Sequence, residues 1–280
     1  MKIKKSTIIA FIFLIIGISL LLYPTISNWW NSMHQTIAVG SYMEKTNNNT
    51  EKENEAIIQE AKKYNEGLIS KSLDRFKLNY EELNEYNSLL NVIGTNIMSI
   101  IEIPKLNIRM PIYHGTDEAV LQIAIGHIPG TSLPIGGKGT HSVISGHTGL
   151  PSAKLFTDIE KLVNGDIFTL TTLGNTLTYE VDQIKIVLPS ELDELRIEQD
   201  KDYVTLQTCT PYGINTHRLL VRGTRINTSL SNIKIVPDAI KVSSLLINCI
   251  VILLFIGILL LIKLIIITFK KIIKSNKSDL

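Results

Sequence analysis

DYVTLQTCTPYGINTHRLLVRGTRI, residues 202–226, is the stretch whose reading decides this chain. Tyr203 to Thr208 is rich in β-branched and aromatic residues and reads as a strand. Pro211 and Gly213 turn it, and Arg218 to Ile226 returns as a second strand. Cys209 therefore ends the first strand, where a rigid scaffold displays reactive side chains. Arg218 opens the second. A thiol facing a permanently charged guanidinium suits a nucleophile with a neighbour that stabilises developing negative charge. The plain alternatives are a small buried hydrophobe for Cys209 and a surface ion pair for Arg218.

A thiol nucleophile needs a base or an ion-pair partner, and six histidines are available: 34, 114, 127, 141, 147 and 217. His217 precedes Arg218 in a strand, so the two side chains take opposite faces and only one can face the thiol. His147 ranks first. It ends the apolar run His141 to Ser145, and Gly146 and Gly149 frame it within SGHTG. Each histidine taken alone is as well explained by a structural role. Metal-ligand spacings such as CxxC and HExxH are absent from the sequence, as is a glycine-rich phosphate loop.

The chain ends set the context. Three lysines lie in residues 1–5, and Thr7 to Tyr23 is then almost wholly apolar. At 1.5 Å per residue this run makes a helix of about 25 Å, sufficient for a membrane span. Tyr23, Trp29 and Trp30 follow where a cleavage site would want small residues, so the segment is expected to stay as an anchor. A second apolar run, Leu245 to Phe269, precedes Lys270, Lys271, Lys274 and Lys277. The positive-inside rule puts both basic ends in the cytoplasm and residues 24–241 outside. Cys209 is the only cysteine between the two runs, so the exterior part has no intrachain disulfide partner for it.

The net charge of +2 hides an asymmetry. Setting aside the nine lysines and one aspartate of residues 1–5 and 241–280 leaves 19 basic and 25 acidic residues, a net of −6. The exterior part is mildly acidic, which argues against nucleic-acid binding.

Two compositions meet within the exterior part. Residues 32–91 are polar and Asn/Glu/Lys-rich. The Asn-Asn-Asn-Thr run 47–50 starts a helix with Ala56, Ile57, Ala61 and Tyr64 at helical spacing, and a second helix is expected from about Asn79 to Leu90. From Ile97 to Thr224 short β runs follow one another, with Gly174-Asn175 as a hairpin turn and one short helix at about Ala153 to Leu162. Such strands predict a sandwich or barrel.

With these residues in view, TLQTCTPYGINTHRLLVRG resembles the active-site signature of the sortases, and THSVISGHTGLPSAKLFTDIEKL resembles their histidine segment. IEIPKLNIRMPIYHGT, GHIPGTSLPIGG and the second apolar run are similar to the pilin-polymerising class C members. The resemblance, over about Ile97 to Arg225, implies a mainly β fold: an eight-stranded sortase barrel with an N-terminal helical arm, flanked by two transmembrane helices. The expected divisions are 1–30 (cytoplasmic end and anchor), 31–96 (arm), 97–230 (barrel), 231–244 (linker), 245–269 (second span) and 270–280 (basic tail).

The resemblance also implies roles. Cys209 would be the nucleophile, His147 the catalytic histidine and Arg218 the catalytic arginine. Cleavage of an LPXTG-like sorting signal after its threonine would leave a thioester, resolved by a pilin lysine with no cofactor or metal. The alternatives are a housekeeping enzyme using a cell-wall precursor amine, a thiol peptidase using water, and a peptide-binding module without catalysis. Class C members often carry an Asp-Pro-aromatic lid. The matching stretch is Asp74-Arg75-Phe76, with Arg75 at the proline position. Proline stiffens a loop, so its replacement is expected to loosen the lid or change its geometry.

Overall fold

The structure is a computed structural model that describes residues 5–71, 73–92 and 94–227. The linker, second apolar run and basic tail expected beyond residue 230 lie outside the described residues. The chain divides into two compact units, one containing residues 1–22 and the other residues 23–236.

Helix α1 runs from Lys5 to Asn48, through Pro24 and through the expected boundary at residue 30. From Ile12 it is long and apolar enough to cross a membrane by length and composition. In the second unit it is joined by α2 (Glu51–Ile69), a 3-10 turn (Leu73–Phe76) and α3 (Tyr80–Ser88). Both α2 and α3 start with a reciprocal capping box, Thr50 with Glu53 and Asn79 with Glu82. Each box satisfies backbone N–H groups that a helix start leaves orphaned.

Eight strands close a barrel: β1 (Ile97–Ile103), β2 (Ile108–His114), β3 (Ile125–His127), β4 (Thr140–Ser145), β5 (Ile167–Thr172), β6 (Asn175–Val187), β7 (Asp202–Thr210) and β8 (His217–Ile226). Their order around the barrel is β1-β2-β3-β4-β7-β8-β6-β5. The β2–β3 and β4–β7 pairs are parallel, and the others antiparallel. Ile101, Ile112, Ile144, Leu170, Val181, Leu206 and Val221 fill the interior. The loop after β4 adds Ala153, Leu155, Phe156 and Leu162 to the same core. The helical arm packs outside, with Tyr42, Ala61 and Tyr86 against Ile97, Met98 and Ile100 of β1.

Two expectations need correction. The β5–β6 hairpin turns on Leu173-Gly174 rather than Gly174-Asn175, both with positive φ (48° and 81°). This is the requirement of a tight hairpin turn, and the Leu173 N–H is held by the Tyr42 hydroxyl at 2.9 Å. The helix expected over 153–162 is reduced to turns and a 3-10 segment, Ile159–Lys161. Its first helical bond is pre-empted: Phe156 N–H donates to the His147 carbonyl, and the Ser152 carbonyl accepts from Asn31. Leu155, at φ 38°, then leaves the helical region.

Two buried histidines belong to this framework. His127 Nε2–H donates to the Ser132 carbonyl at 2.8 Å, and its Nδ1 lies 3.0 Å from the Tyr86 hydroxyl. His141 Nδ1–H donates to the Arg196 carbonyl, and its Nε2 accepts from Thr205. Burial pushes His127 down to about 3 and His141 down to about 4, from an ordinary 6.5. Both stay neutral in the fold while the unfolded chain takes up protons below 6.5. Their stabilisation is therefore complete above that pH and lost as pH falls toward the folded values. Thermal melts should show a loss approaching 2 kcal/mol per histidine between pH 7 and 5, and His141→Gln, which cannot titrate, should flatten that slope.

Candidate active site

Three adjacent strands carry the site. Ile144, Val204, Leu206, Leu219 and Val221 point into the barrel. Alternation therefore turns Val143 and Ser145 of β4, Thr205, Gln207 and Cys209 of β7, and Arg218 and Leu220 of β8 outward. Cys209 is the direct antiparallel partner of Arg218, so thiol and guanidinium share the outer face. His217 pairs with Thr210 and takes the other face.

The parallel β4–β7 ladder supplies the histidine. Ser145 pairs with Gln207, after which Gly146 N–H donates to the Gln207 carbonyl at 3.1 Å. The Thr208 hydroxyl donates to the Gly146 carbonyl at 2.7 Å. The two segments stay hydrogen-bonded one residue beyond the end of β4, so His147 leaves the ladder directly after Gly146, two residues past the Ser145–Gln207 pair. Gly146 is needed for space. A Cβ there would lie 2.7 Å from Ile125 Cγ2 and 2.8 Å from the Phe156 ring. The His147 Nε2 atom is buried without a hydrogen-bond partner. The carboxylate of Glu118, from the short helix α4 (Glu118–Leu121), stands 3.9 Å away and is 73% exposed. Arg218 Nη1 donates to the carbonyls of Asn215 and His217 at 3.3 and 3.1 Å.

The Asp74-Arg75-Phe76 stretch forms the 3-10 turn between α2 and α3. Phe76 packs on a patch built from Val143, Leu195 and Leu220, with Val187 and Leu192 beside it. Val143 and Leu220 lie on the outer face that carries Cys209, and Val187 pairs with Arg218. Asp74 is 87% exposed at its side chain and stands 4.0 Å from Lys77 Nζ.

Arg75 is the buried member, only 6% exposed. Its guanidinium donates to the Leu195 carbonyl at 2.6 Å and lies 4.8 Å from the centre of the Phe76 ring. Burial lowers its pKa, and Arg196 adds to the effect. The backbone seats closely too: a Cβ on Gly130 (φ 81°) would come within 2.1 Å of the Arg75 carbonyl oxygen. Neither Glu118 nor the anchoring by Arg75 carried a signal in the sequence, since both act across long chain separations.

His127 and His141 are consumed by the framework, and His114 Nε2 is tied to the Leu89 carbonyl at 2.6 Å. Among the described residues no group of three or more His, Cys, Asp or Glu is placed to hold a metal. The arrangement offers a half-buried thiol paired with a guanidinium, and an imidazole nitrogen without a hydrogen-bond partner at the end of the neighbouring strand. That set is competent for acyl transfer through sulfur.

Comparison with known proteins agrees with this geometry. Residues 101–226 match the sortase domain. Sortase C1 of Streptococcus agalactiae is 48% identical over 69% of this chain and 99% of its own, with a TM-score of 0.63. A Clostridium perfringens sortase C, solved with the C-terminal cell wall sorting motif, is 48% identical over 68% of this chain and 97% of its own, with a TM-score of 0.57. Sortase D of Bacillus subtilis is 30% identical over 130 residues, 45% of this chain, and the match spans 63% of that relative's length. The chain belongs to the sortase family of cysteine transpeptidases, and its structural neighbours are class C sortases.

Gly146→Ala should displace either the Phe156 ring or the strand end that carries His147. Overpacking of this kind costs about 1 to 3 kcal/mol, so chemical denaturation should show a lower midpoint with an unchanged slope.

Proposed function

We propose that this protein is a membrane-anchored class C sortase that joins pilin subunits. The reading is carried by the direct pairing of Cys209 with Arg218 across β7 and β8, with His147 following the end of β4, the parallel neighbour of β7. It is supported by the high identity to class C enzymes across nearly their whole solved length. The sorting motif present in the Clostridium perfringens structure supports an LPXTG-like signal as substrate. The apolar stretch of α1 supports anchoring, with the N-terminal lysines on the cytoplasmic side.

The Cys209 thiolate attacks the carbonyl carbon of the signal's threonine. Arg218 stabilises the oxyanion of the tetrahedral intermediate. The intermediate collapses, the Thr–Gly C–N bond breaks, and His147 gives its proton to the departing amine. A pilin lysine amine then attacks the thioester and gives up a proton to His147. The C–S bond breaks, an isopeptide bond remains and the thiolate is restored. The sequence of steps is redox-neutral, and the thioester conserves the acyl activation of the cleaved bond.

Incubation with an LPXTG-type peptide and a pilin domain, followed by intact mass, tests this. The wild-type protein should yield a peptide–pilin adduct and Cys209→Ala none, with the fold retained. Free threonine acid as the only product despite an available acceptor would indicate a hydrolase instead. Transfer only to a glycine-like amine would indicate wall anchoring.

Phe76 acts in this reading as a lid beside Cys209, and Arg75 holds it to the β6–β7 connection. A hydrogen bond from a charged donor contributes about 1.5 to 3 kcal/mol, partly offset by the cost of burying the cation. Arg75→Ala and Phe76→Ala should each speed alkylation of Cys209 by a small thiol reagent, by about tenfold. Acceleration by Phe76→Ala alone would leave the lid and remove Arg75 from its fastening.

A further inference from the structure

Both segments that flank His147 are fastened to α1. Asn31 Nδ2 donates to the Ser152 carbonyl at 2.9 Å, and Asn28 Oδ1 accepts from Lys154 N–H at 2.8 Å. Both bonds fall within the loop that leaves His147. Gln35 Nε2 donates to the Ile123 carbonyl at 2.7 Å, just beyond the short helix that presents Glu118 to the imidazole. Residues 28, 31 and 35 follow helical spacing, so they form one polar stripe on α1. The same face continues into Val39 and Tyr42, which are buried against the barrel.

The bonds have a local consequence. The Ser152 carbonyl, which would accept from Phe156 N–H in a helix, here accepts from Asn31. Phe156 N–H instead donates to the His147 carbonyl at 3.1 Å and closes the loop back on the histidine. Gly149 N–H is tied to Thr157 Oγ1 at 3.1 Å in the same loop.

We infer that Asn28, Asn31 and Gln35 are positioning residues for His147, so that the helix containing the membrane-length apolar stretch is also part of the frame of the active site. They touch neither substrate nor the reacting atoms. They act by fixing the loop on one side of the imidazole and the Glu118 segment on the other. The inference rests on the reading of Cys209 and His147 as catalytic.

The test uses the full chain in detergent, with an LPXTG-type peptide as substrate. Release of the C-terminal fragment gives kcat and KM, and hydrogen exchange reports on residues 148–157. Asn28→Leu combined with Asn31→Leu should lower kcat about fivefold, leave KM within about twofold and speed exchange in that loop without changing β4 or β7. The two asparagines should also differ. Asn28→Asp keeps the acceptor and should behave like the wild type. Asn31→Asp loses the donor and should match Asn31→Leu, a contrast that general packing would not produce. Unchanged exchange would overturn the clamp. Faster exchange with unchanged kcat would overturn its link to His147. A wild-type protein that forms no thioester would defeat the catalytic reading itself, whereas a defect confined to the variants would leave that reading intact.

Discussion

Parallel pairing of β4 with β7 is the constraint on which the site depends. Parallel neighbours run in the same direction and end at the same edge of the sheet. The segment after β4, which contains His147, and the last residues of β7 therefore emerge at the same edge, with Ser145 opposite Gln207. An antiparallel neighbour would have put that histidine at the far edge. The β7–β8 hairpin adds the third member by the opposite rule, because an antiparallel return starts where its partner ends. Arg218, the second residue of β8, meets Cys209, the last but one of β7. Two kinds of pairing thus bring two strand ends and one strand start to a single point.

The histidines show how the fold singles out one imidazole. His114, His127 and His141 have ring nitrogens committed to carbonyls. The two most deeply buried are held neutral far below the ordinary histidine range by loss of solvent. A neutral, fully bonded ring is a structural post and cannot exchange protons readily with a substrate. His147 differs because its buried Nε2 lacks a hydrogen-bond partner, an unusual state for a buried polar atom.

Cys209 and Arg218 were legible in the sequence because one hairpin contains both, and their separation across a turn fixes their pairing. His147 was legible from its place at a strand end, although the reason for Gly146 was not. That glycine makes room for Phe156 and Ile125, which is knowledge of packing, while the positive φ belongs to Gly149. The capped helices and most strands followed from local chemistry. The 153–162 segment did not, because Phe156 N–H donates to His147 and the Ser152 carbonyl accepts from Asn31, more than 100 residues earlier. Glu118 and the environment of Arg75 were invisible for the same reason: their partners are brought near by topology.

Arg75 alters how the lid stretch should be understood. Proline would hold such a turn by restricting its backbone, at no electrostatic cost. Arginine holds it by inserting a cation beneath Phe76 and donating to Leu195, with its Nε buried and unpartnered. Desolvation of a guanidinium opposes this arrangement, and the nearby Arg196 adds repulsion. The closed turn therefore gains a specific anchor and carries a standing electrostatic penalty of opposite sign. Such a balance favours a fastening that releases for a modest input of binding energy, because a released Arg75 regains its water. At the other side of the site the stripe on α1 uses neutral amides with no comparable penalty. The two fastenings therefore differ in chemistry: neutral amides hold the loop after His147, and a buried cation holds the Phe76 turn against the outer face of the barrel.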